Sequence, residues 1–126
     1  LVAALADAAS SHGPHVSVFA PHSLPELSAS VLACGYFFGT EALTNATKHA
    51  PGAPVSVLVT SDDSLRITVV DEGPGGAQVV PGRGLAGMAE RLAAFGGEMS
   101  LSSPPGGPTR VAGSIPLLLD RGQPGV

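Results

Sequence analysis

The longest helical segment of this chain, residues 27–48, constrains the fold more than any other feature. Proline and glycine at 51–54 end that helix, because proline has no amide donor and clashes with the preceding turn. Apolar and polar residues alternate at 16–19, 55–59 and 65–70, as they do in strands with one buried face. A long helix placed between such strands must pack its apolar face against the sheet that they form.

The remaining patterns complete an α/β chain, more narrowly an α+β two-layer sandwich. Helices are expected at 1–9 and 85–95, and two more strands flank the turn at 104–108. Consecutive hairpins with helices between them predict a mixed β-sheet with helices on one face. We expect one domain over residues 1–120 and a flexible tail at 121–126.

Composition excludes several other classes of protein. With 126 residues, 44% of them hydrophobic and 13% charged, the chain suits one globular domain rather than a disordered segment. A net charge of −4 with six Lys plus Arg argues against a nucleic-acid surface. Cys34 is the single cysteine, which excludes a disulfide framework and indicates a reducing compartment. No run approaches the roughly 18 apolar residues of a membrane span.

A polar stripe on the long helix is the first candidate site. At 3.6 residues per turn, Glu41, Asn45, Lys48 and His49 lie along one side. A carboxylate, an amide oxygen and cationic donors suit a hydrated magnesium ion with phosphates attached, since magnesium takes hard oxygen ligands and keeps several waters. Taken alone, the stripe equally fits the solvated face of an amphipathic helix.

A second segment follows the 65–70 strand. Asp71 leaves that strand, and Gly73 and Gly75 place backbone beside it that a flat ligand can approach closely. A buried carboxylate accepts a hydrogen bond from an exocyclic amine such as that of adenine. By itself the pattern is also that of a strand followed by a turn.

The third segment, 82–88, precedes a helix. Glycines at a helix start expose free amides at the positive end of the helix dipole, where phosphates bind. The segment matches G-x-G-x-x-G, but no strong strand leads into it and no acidic residue follows about 20 positions later, as a dinucleotide-binding fold needs.

In this order the three segments resemble the N, G1 and G2 boxes of the Bergerat or GHKL ATP-binding fold, which is shared by sensor histidine kinases, anti-sigma serine kinases, gyrase-type topoisomerases, MutL and chaperone ATPases. The finer wording Glu41-Ala-Leu-Thr-Asn-Ala-x-Lys-His-Ala50, with Gly84-Leu-x-Gly-Met-x-Glu-Arg91, is similar to that of NarL/DesK-type histidine kinases. The resemblance covers residues 1–118.

The resemblance implies ATP and Mg²⁺ as cofactors and a role for each residue of the stripe. Asn45 is then the direct metal ligand, and Glu41 acts through metal-bound water or as a general base. Lys48 and His49 neutralise phosphate charge, while Asp71 accepts from the adenine amino group.

Other nucleotide-binding residues are implied by the same resemblance. Two glycines shape the adenine pocket, four residues form the phosphate-facing part of a short lid, and one threonine lies near the carboxylate that binds adenine. In that order they are Gly73 and Gly75, then Gly82, Gly84, Leu85 and Gly87, and finally Thr109. The family usually has glycine directly before that threonine. In this chain the residue is Pro108, which has no backbone N–H and so removes one donor.

The short lid favours a kinase, which donates the γ-phosphoryl group of ATP in two-component signal transduction. None of His12, His15, His22 and His49 lies on a helical hairpin before an acidic residue. We therefore expect the acceptor histidine on a dimerisation hairpin upstream of this piece, in a homodimeric parent kinase that serves a response regulator.

The domain itself is expected in the cytoplasm, with membrane attachment of the parent left open. The alternatives are an anti-sigma-factor-type serine kinase and a degenerate nucleotide-binding interaction module.

Overall fold

The computed structural model describes residues 1–78 and 84–117. Within these ranges the chain forms three helices and five strands. In chain order they are α1 (Val2–Ser10), β1 (Val16–Phe19), α2 (Ala29–His49), β2 (Val55–Ser61), β3 (Ser64–Asp71), α3 (Gly84–Ala93), β4 (Glu98–Ser102) and β5 (Thr109–Pro116). None of these helices is both long and apolar enough to cross a membrane.

The strands form one mixed sheet in the order β1-β2-β3-β5-β4. β1 and β2 are parallel, and the chain between them contains α2, because a parallel pair needs a long crossover connection. The other neighbouring strands are antiparallel. The register of β3 and β5 places Asp71 directly opposite Thr109, at the end of both strands where the sheet meets the last turns of α2.

One face of the sheet is covered by the helices, which confirms the predicted two-layer α+β arrangement. On the other face, Phe19 and Leu58 are paired neighbours and are 56% and 42% exposed. The strand residues buried beneath the helices are Val55, Val57, Val59, Leu65, Ile67, Val69, Val111 and Ile115. They alternate with outward-facing residues, as expected for a sheet with one buried face.

Every predicted helix and strand is present, with bounds that differ by a few residues. The long helix begins at Ala29 rather than at 27, because the Ser28 hydroxyl accepts from the Val31 amide at 3.2 Å and caps the first turn. β3 continues through Asp71, so this carboxylate lies within the sheet rather than beyond it. The predicted tail, 121–126, falls outside the described residues.

The middle of α2 packs against the sheet at a glycine. The Phe38 ring is fully buried and lies over Gly113 of β5. A Cβ at Gly113 would fall 2.9 Å from two atoms of that ring and 3.0 Å from Leu92 Cδ1 of α3. Gly113 therefore sets how closely both helices approach the sheet.

Replacing Gly113 with alanine should lower the free energy of unfolding by about 1–3 kcal/mol, because the added methyl overpacks the contact with Phe38. Ser114→Ala is the matched control, since Ser114 is the next residue of β5 and faces away from the helices. We expect that control to change stability by less than about 0.5 kcal/mol. Denaturant unfolding of the three proteins measures both values; equal stabilities would refute the packing constraint.

Candidate functional site

A cavity of about 450 Å³ lies between α2 and the ends of β3 and β5. Its floor is apolar and consists of Ala42 and Ala46 from the helix and Val69 and Val111 from the sheet. All four are buried and also belong to the hydrophobic core. The cavity is therefore an extension of the core that opens to solvent.

The cavity lies beside two small buried residues of α2. Phe38 fills the space above the sheet, whereas one turn later Ala42, and then Ala46, leave it empty. An apolar slot with a few polar groups at its rim is the usual form of a small-molecule site.

One end of the cavity carries a buried carboxylate. Asp71 is 7% exposed, and its Oδ1 accepts a hydrogen bond from the Gly73 amide at 3.0 Å. This bond orients the carboxylate and leaves Oδ2 available to accept from a ligand donor. Thr109, its partner across the strands, is 9% exposed and also lines the cavity.

The other end carries donors and a neutral amide oxygen. Asn45 of α2 lies there beside Gly84, the first described residue of α3, and His49, one turn later on α2, also lines the cavity. The Asn45 amide nitrogen donates to Met88 Sδ at 3.7 Å, which leaves Oδ1 as the oxygen that can bind a cation. The start of α3 at Gly84 is the positive end of the helix dipole, which makes this part of the cavity favourable for anions.

The wall between the two ends is backbone. The segment 74–77 leads away from Asp71 and docks against the β4–β5 connection. Gly76 N donates to Ser103 O at 3.0 Å, and Gly106 N donates to Pro74 O at 2.8 Å. Ala77 N donates to Ser103 Oγ at 2.8 Å.

Seven of the residues predicted from the sequence line this cavity: Asn45, His49, Asp71, Gly75, Gly84, Leu85 and Thr109. Four others do not line it. Glu41 is half-buried one turn before Asn45, Lys48 is exposed on the last turn of α2, Gly73 donates to Asp71, and Gly87 is exposed on α3. Gly82 lies outside the described residues. The roles assigned to all of these residues remain predictions.

Some lining residues were not anticipated as site residues. Ala42 and Ala46 are buried on the core face of the helix while also flooring the cavity. Their small size at core positions was the available signal. The contacts of Ser103 had no such signal, because they depend on how two distant connections dock.

The described residues contain no cluster of three or more His, Cys, Asp or Glu side chains arranged to hold a metal ion. Asn45 Oδ1 is a hard oxygen of the kind that magnesium takes together with phosphate oxygens and water.

Comparison with known proteins agrees with this geometry. The family of histidine kinase-, DNA gyrase B- and HSP90-like ATPases matches residues 39–119, more than half of the chain. The sensor histidine kinase YxjM of Bacillus subtilis (strain 168) is 33% identical over 79 residues, which are 62% of this chain and 20% of the relative. LnrJ, a sensor histidine kinase of the same organism, is 38% identical over 64 residues, 50% of this chain and 16% of the relative. This chain thus spans about a fifth or less of their length.

Solved structures show the same fold. The histidine kinase domain of the blue-light activated histidine kinase EL346 from Erythrobacter litoralis has a TM-score of 0.72 and 22% identity, covering 93% of this chain and 63% of that one. Full-length ShkA, in a structure with AMPPNP, has a TM-score of 0.66 and 21% identity, covering 91% of this chain and 28% of that one.

The docked wall gives a prediction about two adjacent glycines. Gly75 has φ +72°, and a Cβ there would collide with Pro104 O and with the Gly107 backbone. Gly76 has φ +82° with nothing within 4 Å of a Cβ, so it shares the conformational cost of alanine but not the collision. Gly75→Ala should therefore be less stable than Gly76→Ala by about 1–3 kcal/mol in denaturant unfolding. If the two variants have the same free energy of unfolding, the wall is not docked as described.

Proposed function

The chain belongs to the family of histidine kinase-, DNA gyrase B- and HSP90-like ATPases and is an ATP-binding domain of the sensor histidine kinase type, and on this premise we propose that it binds Mg-ATP in the cavity and donates the γ-phosphoryl group to a histidine of its parent kinase. The observation that carries the proposal is that the two ends of the cavity carry different polar groups. A buried acceptor, Asp71, lies at one end, and Asn45 with the start of α3 lies at the other.

The carboxylate end suits adenine. The apolar floor of Ala42, Ala46, Val69 and Val111 accommodates the faces of the ring. Asp71 Oδ2 accepts from the 6-amino group, while Gly73 holds Oδ1. Guanine carries a carbonyl oxygen at that position, so the same carboxylate repels it.

The amide end suits the triphosphate. Asn45 Oδ1 binds the cation, and the amides at the start of α3 bind phosphate oxygens, with Gly84 allowing close approach. Magnesium, when bound, neutralises charge on the phosphates as the transferred group leaves. His49 lies at the cavity wall, and Lys48 and Glu41 act from the rim, Glu41 through metal-bound water or as a base.

The parent protein supplies the remaining parts under this proposal. The acceptor histidine lies on a separate dimerisation hairpin of a homodimeric kinase of the NarL/DesK type, which passes the phosphoryl group to a response regulator. The sensor histidine kinases YxjM and LnrJ support this assignment over a serine kinase. Since ATP is a cytoplasmic nucleotide, we assign this domain to the cytoplasm.

Mg-ATP should stabilise the chain against thermal unfolding by RT ln(1 + [L]/Kd), about 2.7 kcal/mol at a hundred times Kd. Asn45→Ala should lose the part of this stabilisation that Mg²⁺ adds, because the metal ligand is gone. Thr44→Ala is the control, since Thr44 is exposed beside it and its hydroxyl donates to Thr40 O within the same helix. Absence of a thermal shift in the unaltered chain at millimolar Mg-ATP would overturn the proposed function.

Asp71→Asn should weaken ATP binding by about ten- to hundredfold and reverse the preference between adenine and guanine. The Gly73 amide needs an acceptor, so the asparagine oxygen takes the place of Oδ1 and its NH₂ group faces the ligand. That donor opposes the adenine amino group and suits the guanine carbonyl. Glu72→Gln, which neutralises an exposed neighbouring carboxylate, controls for charge alone. Titration with ATP and GTP measures both effects; unchanged selectivity in Asp71→Asn would contradict the adenine contact.

A further inference from the structure

Resting on the proposed function, we propose that Ser103 is a positioning residue that couples the base end of the cavity to the backbone wall 74–77. Ser103 lies just after β4 and does not line the cavity. Its effect on a ligand must therefore pass through the residues that its atoms bind.

Ser103 joins two parts of the site with its two oxygen atoms. Its carbonyl oxygen accepts from Gly76 N at 3.0 Å, and its hydroxyl accepts from Ala77 N at 2.8 Å. The same hydroxyl lies 2.6 Å from Thr109 Oγ1. One residue thus holds two successive amides of the wall and also contacts the buried threonine beside Asp71.

The direction of these hydrogen bonds follows from what each group can do. The Ala77 amide can only donate, so the Ser103 hydroxyl accepts it and has one proton left to give. When Thr109 donates to a ligand acceptor, Ser103 donates to Thr109. A chain then runs from Ala77 through Ser103 and Thr109 to the ligand, and each bond polarises the next.

The register of β3 and β5 identifies the ligand acceptor. Asp71 and Thr109 are directly opposite and both line the cavity, so one ring edge can face both side chains. In adenine the 6-amino group is a donor and the neighbouring ring nitrogen N1 is an acceptor, which matches Asp71 and Thr109. Guanine has the opposite polarity at both positions. The Thr109 hydroxyl, at the end of the hydrogen-bond chain, therefore donates to N1, directly or through one water.

The test uses the whole chain and three variants: Ser103→Ala removes the hydroxyl, Ser103→Thr retains it, and Ser102→Ala alters the exposed neighbouring residue on the outer face. Two ligands are compared, adenosine and 1-deazaadenosine, in which N1 is replaced by C–H. Ser103→Ala should bind adenosine about fivefold more weakly, while its affinity for 1-deazaadenosine equals that of the unaltered chain. Ser103→Thr should restore adenosine affinity, and Ser102→Ala should not change it.

Amide hydrogen exchange at Ala77 provides the second measurement. Adenosine, which lacks phosphates, should slow this exchange in the unaltered chain and in Ser103→Thr, but not in Ser103→Ala. If Ser103→Ala weakens the binding of both nucleosides equally, its role is merely structural and the proposal is overturned. The proposal is also overturned if Ser103→Ala has the same adenosine affinity and the same Ala77 exchange as Ser102→Ala. If the unaltered chain binds ATP yet Ser103→Ala behaves in either way, only this inference fails. If the unaltered chain binds neither adenosine nor Mg-ATP, the proposed function fails and the inference with it.

Discussion

The packing of α2 on the sheet is the constraint on which both the core and the site depend. Phe38 fills the space over Gly113, which fixes the distance between helix and sheet at mid-helix. Ala42 and Ala46 of the helix and Val69 and Val111 of the sheet line the cavity together. A helix that packed with side chains of uniform size would close this space, because interiors are filled to crystal-like density. The site is therefore a consequence of a change in side-chain size along one helix.

The two ends of the cavity are built by different parts of the chain. The sheet supplies Asp71 and Thr109, whose positions are set by strand register, while α2 supplies Asn45 and α3 supplies Gly84 at its start. Rigid elements thus hold the polar groups, and the docked wall 74–77 connects the two ends. Hydrogen bonds at Ser103 link the wall to Thr109, which is opposite Asp71.

Much of this fold could be predicted from the sequence, because periodicity and turn residues act locally. The alternation at 55–59 and 65–70 identified the hairpin, and the ordered motifs identified the family, which the comparisons confirm. Helix starts were less accurate, since the cap at Ser28 is one hydrogen bond that periodicity does not reveal. The motifs also anticipated Asn45, Asp71 and Thr109 as polar residues of one site. They did not reveal the docking of the wall on the β4–β5 connection, because contacts between residues so far apart in sequence depend on the assembled sheet.

The two buried polar residues, Asp71 and Thr109, are difficult to explain by stability alone. They are opposite each other in an otherwise apolar core, and the ion pair between described residues, Arg66 with Asp62, lies elsewhere on the surface. Burying a carboxylate costs free energy unless hydrogen bonds compensate, and the amide of Gly73 satisfies one of its two oxygens. A valine pair at these positions would extend the buried faces of both strands at no such cost. Asp71 lines the cavity, so a ligand donor can complete the hydrogen bonding of its second oxygen, and the carboxylate then contributes selectivity when the cavity is filled.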